Sequence, residues 1–253
     1  MKILAVMSLK GGVGKTTVAA NLAEAFACAG HFPVVAVDLD PQNGLAWHFD
    51  SGLAEETGLA ETAVDEGWIG PGYEFEANRM TVFPYGQVSE EQRLELELRL
   101  AQHPGWLGAQ LRQLFPAPGG VAIIDTPPYA SVYLDQALAC ADHVLIVLTP
   151  EVASIATVSD IETMLDPLLE RRPELVTHYL LNQVEPGQAL DETLTQRMQA
   201  RFGPRLIDIG VRRDERVAEA LAFQQPIIRY DPDSNGAGDI NAVADRLGLL
   251  LAP

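Results

Sequence analysis

The sequence predicts an α/β fold of three layers, in which helices flank a mostly parallel twisted sheet on both faces. Short apolar runs recur along the chain, as is typical of strands that are buried on both faces. Stretches with helical spacing of apolar residues follow these runs. The 253 residues are 47% hydrophobic and contain no linker-like tract, so we expect one domain over residues 1–253.

The first apolar run, residues 3–7, is expected to be a buried strand, and a helix is expected from Thr17 to Cys28. Between them lies the sequence Lys10-Gly11-Gly12-Val13-Gly14-Lys15-Thr16-Thr17. A strand, a glycine-rich turn and a helix form the context of a phosphate-binding loop (P-loop). Glycines let backbone N–H groups approach phosphates, and the helix adds the positive end of its dipole. The sequence therefore predicts a P-loop NTPase fold with these eight residues binding the nucleotide.

Lysine is rare in this chain and is concentrated in the loop. The only three lysines are Lys2, Lys10 and Lys15, against fourteen arginines. Lysine is a compact point charge that reaches into a phosphate cradle, whereas arginine suits planar carboxylates. Lys15 is expected to bridge the β- and γ-phosphates, and the Thr16 hydroxyl is expected to bind Mg²⁺.

Carboxylates follow two further predicted strands. Residues 33–37 lead into Asp38 and Asp40, and residues 120–124 lead into Asp125. Ligands of parallel sheets bind beyond the carboxyl ends of the strands, so these acids are expected near the phosphates. Asp38 and Asp40 alternate in an extended segment and cannot point the same way, which indicates two separate roles. Asp125 fits a Walker B element, whose carboxylate contacts Mg²⁺ through water.

Two more strands are predicted over residues 142–149 and 175–182, each followed by a helix. Asn182 ends the second of them, where an amide can donate to and accept from a base edge. The sequence Asn182-Gln183-Val184-Glu185 lacks the lysine and the aspartate of the guanine-binding N-K-x-D element, which favours adenine. A capping or turn role for Asn182 is the alternative.

The remaining elements carry weaker signals. Residues 81–84 are a candidate strand. The capping box from Ser89 to Gln92 predicts a helix over residues 94–100, although the leucines there alternate as in a strand. Residues 240–253 are expected to form a terminal core helix. Both cysteines, Cys28 and Cys140, are expected in the core, without a disulfide or a metal.

Aromatic side chains occur in a Gly- and acid-rich insertion over residues 51–79. These are Trp68, Tyr73 and Phe75. They could form an interaction surface, but such residues more often cover a core.

The charge disfavours two classes of partner. The net charge is −18 and the sequence pI is near 4.5, so the protein is expected to repel DNA and anionic lipid. Residues 240–253 contain Arg246 as their sole basic residue, which does not suit a membrane-surface helix. The N-terminal apolar stretch is too short for a signal peptide, and no run approaches membrane-spanning length. The sequence therefore predicts a cytoplasmic protein without direct membrane insertion.

The loop departs from the general P-loop pattern in one informative way. Leu9 stands where G-x-x-x-x-G-K-[ST] has glycine, and Lys10 adds a second lysine. This arrangement resembles the deviant Walker A loop of the MinD/ParA class of ATPases. Further stretches resemble its BcsQ (YhjQ) branch of cellulose-biosynthesis accessory ATPases. They are Asp38 to Asn43, Ile124 to Pro128, Ser131 to Ala137, Leu181 to Val184, Arg213 to Ala222 and Ile228 to Ser234.

The resemblance implies a slow, switch-type ATPase that uses ATP and Mg²⁺ and forms a homodimer when ATP is bound. In the class, the extra lysine, here Lys10, reaches the partner's nucleotide across the dimer interface. The position of Asp38 supports the Mg²⁺ shell and that of Asp40 orients the attacking water, so Lys10, Lys15 and Asp40 are the expected catalytic residues. Residues 126–128 resemble its second switch segment.

The branch implies a role in bacterial cellulose synthesis or secretion, with protein partners in that assembly. Recruitment to the inner membrane would then occur through a partner. The main alternative is a ParA-type partition ATPase with DNA affinity. A metabolic kinase is a further alternative, although no second-substrate site stands out in the sequence. Iron–sulfur and zinc-binding relatives are disfavoured, because Cys28 and Cys140 do not match their cysteine patterns.

Overall fold

The computed structural model describes residues 1–30, 33–49, 57–65, 69–70, 72–75, 79–115 and 119–251. Within these residues, one sheet contains the strands β1 (Lys2–Met7), β2 (Val34–Asp38), β3 (Tyr73–Phe75), β4 (Met80–Phe83), β5 (Val121–Asp125), β6 (His143–Leu148), β7 (Val176–Val184) and β8 (Val211–Arg212). Their order is β3-β4-β2-β5-β1-β6-β7-β8. All neighbours are parallel except β3, which is antiparallel to β4.

Helices connect the parallel strands. They are α1 (Lys15–Ala29), α2 (Leu59–Asp65), α3 (Glu90–Gln102), α4 (Trp106–Leu114), α5 (Val132–Cys140), α6 (Val152–Ala156), α7 (Val158–Arg171), α8 (Ala189–Phe202), α9 (Glu215–Ala222), α10 (Ile227–Tyr230) and α11 (Asn235–Leu251).

Helices cover the sheet on both faces, because successive side chains of a strand point to opposite faces. Ile3, Ala5 and Met7 of β1 belong to a buried cluster with α3, α4, α5 and α7. Leu4 and Val6 belong to a second cluster with α1 and α11. The predicted three-layer α/β fold with a mostly parallel sheet is therefore confirmed.

The parallel register brings the predicted site residues to one edge of the sheet. Val6 of β1 and Asp38 of β2 are both register partners of Asp125 at the end of β5. The strand predictions agree with the structure to within two residues at each end. The strand β7 runs on to Val184, so Asn182 lies within the strand rather than at its end.

The first helix begins earlier than predicted, at Lys15 rather than Thr17. Its N-cap is Gly14, which has a left-handed φ of 82° that residues other than glycine adopt with difficulty. The amide of Val18 donates to the Gly14 carbonyl at 2.9 Å. Lys15 and Thr16 consequently lie in the first helical turn, where the positive end of the helix dipole acts.

The segment with alternating leucines is a helix, as the capping box predicted. The Ser89 Oγ accepts from the Gln92 amide at 3.2 Å, and the Gln92 Oε1 accepts from the Ser89 amide at 3.0 Å. The alternation reflects two stripes of the helix α3, since Leu96 and Leu100 are buried whereas Leu94 and Leu98 are exposed.

The aromatic residues of the insertion help to cover the core where the structure describes them. Tyr73 and Phe75 are partly buried and pack against the cluster that contains α1 and α11. The ring of Phe75 lies 6.0 Å from that of Phe49. Trp68 lies outside the described residues, as does part of the insertion.

The two cysteines differ in their environments. Cys140 is buried, as expected, but the prediction that Cys28 lies in the core is wrong. Residues 28–30, at the end of α1, are exposed, and the Cys28 thiol donates to Glu24 at 3.1 Å. Neither cysteine forms a disulfide.

The C-terminal helix packs in the core, as predicted, although it begins at Asn235 rather than Ile240. Its apolar stripe includes the buried residues Ile240, Val243 and Leu247. Across the described ranges, no helix has the length and apolar character needed to cross a bilayer.

A buried histidine pair joins β6 and β7 at the edge of the sheet opposite to the P-loop. The His143 Nδ1 lies 3.0 Å from the His178 Nε2, and the two rings stack. Burial, together with the charges of His143 and Arg246, lowers the pKa of His178 to about 4. Burial also lowers the pKa of His143.

This pair predicts a loss of stability in acid. A histidine whose pKa is lower in the folded than in the unfolded state stabilises the fold fully above the unfolded pKa, near 6.5, and less as the pH falls toward 4. We expect the free energy of unfolding of the wild type, from urea titrations, to fall by about 3 kcal/mol more than that of His178→Gln between pH 7 and pH 4. Parallel profiles for the two proteins would contradict this assignment.

Candidate functional site

A cavity of about 240 Å³ opens at the carboxyl edge of the sheet, above the P-loop. The whole loop from Lys10 to Thr17 lines it, together with Ser8, Asp40 and Pro128. The structure thus brings together every residue of the predicted loop and the more distant Asp40. The N-terminus of α1 also faces this position, which suits a polyanion such as a chain of phosphates.

Two side chains from β7 hold the loop in shape. The Asn182 Nδ2 donates to the Val13 carbonyl at 2.8 Å, and the Gln183 Nε2 donates to the Gly12 carbonyl at 3.0 Å. A Cβ atom at Gly14 would lie 2.4 Å from the Asn182 amide nitrogen, so only glycine fits there. These contacts engage the loop carbonyls and leave its N–H groups for a ligand.

Lys15 is buried and forms an ion pair with Asp125. Its Nζ lies 2.7 Å from the Asp125 Oδ1, and the two side chains are 5% and 0% exposed. The other carboxylate oxygen, Oδ2, is buried and has no hydrogen-bond partner within the described part of the chain. A buried carboxylate oxygen without a partner is unfavourable, and a bound cation or its water would satisfy it.

Asp38 is also fully buried, next to Asp125. Its two oxygens accept backbone N–H groups, Oδ1 from Asp40 and Oδ2 from Leu45, both at 2.9 Å. Burial and the charge of Asp125 raise the pKa of Asp38 well above its usual range. Asp38 therefore fixes the backbone of the loop that carries Asp40.

The donor set at this edge fits Mg²⁺. Asp38 and Asp125 are two buried carboxyl groups side by side, and Asp125 pairs with the ammonium of Lys15. The Thr16 hydroxyl lies 3.4 Å from the Lys15 Nζ at the rim of the same cavity. Hard oxygen ligands of this kind suit Mg²⁺, which keeps several of its waters and binds few protein groups directly.

Asp40 and Asp38 point in different directions. Asp40 lines the phosphate cavity, and its Oδ1 accepts from the Gln42 amide at 3.0 Å. Burial raises the pKa of the Asp40 carboxyl. A carboxylate beside the phosphate cavity, held by its own turn, can accept a hydrogen bond from a water molecule there.

The second loop lysine is paired outside the phosphate cradle. The Lys10 Nζ donates to Glu151, which precedes α6 at the carboxyl edge of β6. This hydrogen bond and the charge of Lys10 lower the pKa of Glu151. The pair is partly exposed, with 31% and 59% of the side chains accessible, so it costs little to break.

A second cavity of about 310 Å³ adjoins the first and shares Gly14 and Thr17 with it. Asn182, Arg213 and Asp214 contribute to its walls. The predicted base-contacting Asn182 thus lines the second cavity, and its amide nitrogen holds the loop that lines the first. A cavity of this size next to a phosphate cradle suits a nucleoside.

The segment after Asp125 connects the site to the next helix. The Thr126 Oγ1 donates to the Val6 carbonyl at 2.8 Å, and Pro128 reaches the phosphate cavity. The Ser131 hydroxyl then caps α5 by accepting from the Leu134 amide at 3.2 Å. The segment from Thr126 to Ser131 therefore links the phosphate cavity to the start of α5.

Two contributors were missed by sequence reasoning. Glu151 pairs with Lys10, and Gln183 holds the Gly12 carbonyl. Each is a polar residue at the carboxyl end of a strand, the same signal that identified Asp38 and Asp125.

The chain is similar to known proteins in sequence and in fold. The chain is 27% identical to the cellulose biosynthesis protein BcsQ of Salmonella typhimurium, with 97% of this chain and 93% of that protein covered. It is 28% identical to the chromosome partitioning protein ParA of Caulobacter vibrioides, with coverages of 91% and 88%. The fold matches the septum site-determining protein MinD of Pyrococcus horikoshii, solved with Mg-ADP, at a TM-score of 0.76 and 20% identity, covering 99% and 97% of the two chains.

The model of one protein family, described as cellulose biosynthesis protein BcsQ, matches residues 1–247, which is nearly the whole chain. Together with the deviant P-loop and the shared fold, this match shows that the chain belongs to the BcsQ family, within the MinD/ParA class of P-loop ATPases.

Proposed function

We propose that this protein is an ATP-dependent dimerising switch, which hydrolyses ATP to ADP and phosphate with Mg²⁺ as cofactor. We take residues 1–253 as one P-loop ATPase domain. One observation carries the dimerising part of the proposal. Lys15 alone occupies the usual lysine position of a P-loop, yet Lys10 lies at the same cavity and is paired only weakly, with exposed Glu151.

The loop and its carboxylates would bind ATP·Mg²⁺. The backbone of residues 10–17 and the Lys15 ammonium would hold the β- and γ-phosphates, as in P-loop NTPases generally. Thr16 would bind Mg²⁺ directly, Asp125 would contact it through water, and Asp38 would support the surrounding shell. The ion supplies charge neutralisation between the phosphates. The cavity beside Asn182 would receive adenine.

Asp40 would orient the water that attacks the γ-phosphate. It is the one carboxylate that lines the phosphate cavity in the described part of the chain, and its position is fixed by Asp38 and Gln42. Phosphoryl transfer depends mainly on positioning and on charge stabilisation, so a fixed carboxylate next to the γ-phosphate is well placed to align water.

Lys10 would act on the nucleotide of a second subunit. Its side chain lies at the rim, and its bond to Glu151 is accessible to solvent. When two subunits close face to face over ATP, the lysine would exchange Glu151 for the partner's phosphates. Loss of the γ-phosphate would remove that attraction and release the segments that follow Asp38 and Asp125, so turnover would be slow and tied to assembly.

The family match favours an output in bacterial cellulose synthesis or secretion, through protein partners of that assembly. The protein would work in the cytoplasm and would reach the inner membrane through such a partner. The relatives named for cellulose biosynthesis are about as similar to this chain as ParA is, so a partition ATPase with DNA affinity is the second candidate. The net charge of −18 argues against DNA as the partner.

The first prediction from the proposed function concerns Lys10. In Lys10→Ala, ATP-dependent dimerisation should be lost, and ATP hydrolysis should fall by about a hundredfold or more, because a charge that stabilises the transition state is removed. Phosphate release and light scattering measure the two effects. Lys2→Ala is the matched control, since Lys2 pairs with Asp142 at the opposite edge of the sheet. Native dimerisation and turnover in Lys10→Ala would show that Lys10 does not act in trans.

The second prediction concerns Asp40. Asp40→Ala should bind ATP and dimerise as the wild type does, yet hydrolyse ATP about 10²–10⁴-fold more slowly, because the attacking water is no longer aligned. The ATP dimer should then persist on gel filtration for much longer than the wild-type dimer. Ordinary turnover in this variant would remove Asp40 from the mechanism.

The third prediction separates the two candidate functions. A partition ATPase neutralises DNA phosphates, so its retention on DNA in the presence of ATP falls steeply as salt increases. We expect no ATP-dependent retention of this protein on duplex DNA, even at low salt. Retention that requires ATP and decreases with salt would favour the partition function instead.

A further inference from the structure

The helix α3 carries an apolar stripe that faces solvent. Leu94 and Leu98 are 53% and 62% exposed, and Ala101 continues the stripe on the next turn. These positions follow the i, i+4, i+7 spacing that places side chains on one face of a helix. A single exposed leucine needs no explanation, but an aligned stripe along a helix is typical of a docking surface.

Glutamates border the stripe on both sides. Glu91 and Glu95 lie on one flank, and Glu90 and Glu97 lie on the other. The two arginines of the helix, Arg93 and Arg99, form ion pairs with three of these glutamates. Four acids and two bases leave the helix with a net charge of −2.

The opposite face of α3 packs against the rest of the protein, so the apolar stripe lies on a helix that is held in place. Leu96 and Leu100 on the opposite face are buried. The Nε2 of buried Gln136, on α5, donates to the carbonyls of Leu100 and His103 at 2.9 and 2.7 Å. Arg99 also donates to the carbonyls at the end of α2, at 2.8 and 3.0 Å.

The helix that supports α3 is α5, which follows the segment from Asp125 to Pro128. Besides the Gln136 contacts, the hydroxyl of Tyr133 on α5 lies 2.8 Å from that of Tyr85, and both side chains are buried. A shift of α5 would therefore carry α3 with it. Any nucleotide dependence of docking rests on the proposed switch function, whereas docking itself does not.

We propose that the outer face of α3, formed by Leu94, Leu98 and Ala101 between flanking glutamates, docks an amphipathic helix whose apolar stripe is bordered by Lys or Arg. An apolar stripe with acidic flanks is complementary to a helix that carries an apolar stripe with basic flanks, as in paired helices generally. A second copy of this chain is a poor match for this face, because its own stripe has acidic flanks.

The test uses a fluorescent synthetic peptide of about four helical turns, with leucines on one face and lysines elsewhere. Its affinity for the nucleotide-free protein is measured by anisotropy, with a peptide that carries glutamate in place of lysine for comparison. Leu94→Ser/Leu98→Ser removes the stripe without changing any charge. Leu190→Ser/Leu249→Ser is the matched control, since these leucines are 57% and 76% exposed on other helices.

We expect the Leu/Lys peptide to bind the wild type and the control variant equally, and Leu94→Ser/Leu98→Ser at least about tenfold more weakly. Amide exchange should slow across residues 90–102 when the peptide binds. Equal binding to both double variants, or equal binding of the Leu/Glu peptide, would overturn the proposal. Self-association of the wild type that Leu94→Ser/Leu98→Ser abolishes would also overturn it, in favour of a second copy.

Because nucleotide is absent from this titration, its result is independent of the ATPase switch. Failure of the peptide to recognise α3 leaves the Lys10 and Asp40 experiments standing. If the wild type did not dimerise with ATP, the peptide result would still stand.

Discussion

The ion pair between Lys15 and Asp125 is the contact on which the rest of the site depends. It joins the first turn of α1 to the end of β5, and it is wholly buried. Asp38 lies beside it as a second buried carboxyl, whose pKa is raised by burial and by the charge of Asp125. A bound cation would favour the charged form of Asp38, and phosphates would supply a counter-charge for Lys15. Nucleotide and metal binding thus complete an electrostatic balance that the protein alone leaves open.

Around this centre, the site is divided between parts that are fixed and parts that can exchange partners. Asn182 and Gln183 hold the loop backbone, and Asp38 holds the turn that carries Asp40. Lys10 and Glu151 form a solvent-accessible pair at the rim, which a second subunit could replace at little cost. The segment from Asp125 leads into α5, and Gln136 of α5 donates a hydrogen bond to the Leu100 carbonyl of α3. The helix α5 thus lies between the phosphate cavity and the outer helix α3.

Local sequence patterns predicted the fold and the core of the site, because a P-loop and strand-end carboxylates are each encoded within a few neighbouring residues. The pairing of Lys10 with Glu151 joins residues 141 positions apart, and no periodicity indicates it. Asn182 was predicted at the end of its strand, whereas it lies within β7 and its amide nitrogen contacts the loop, 169 positions away in the sequence. Cys28 was wrongly predicted to lie in the core because the sequence of α1 is apolar as far as its end. The apolar pattern does not show that this end is exposed to solvent.

The central claim is that ATP drives two copies of this chain together. The mass of the wild-type protein, measured by multi-angle light scattering with ADP, with ATP and with a non-hydrolysable ATP analogue, tests it most directly. The account predicts a monomer with ADP, a transient dimer with ATP and a stable dimer with the analogue, each in the presence of Mg²⁺. The same mass in all three nucleotide states would contradict it.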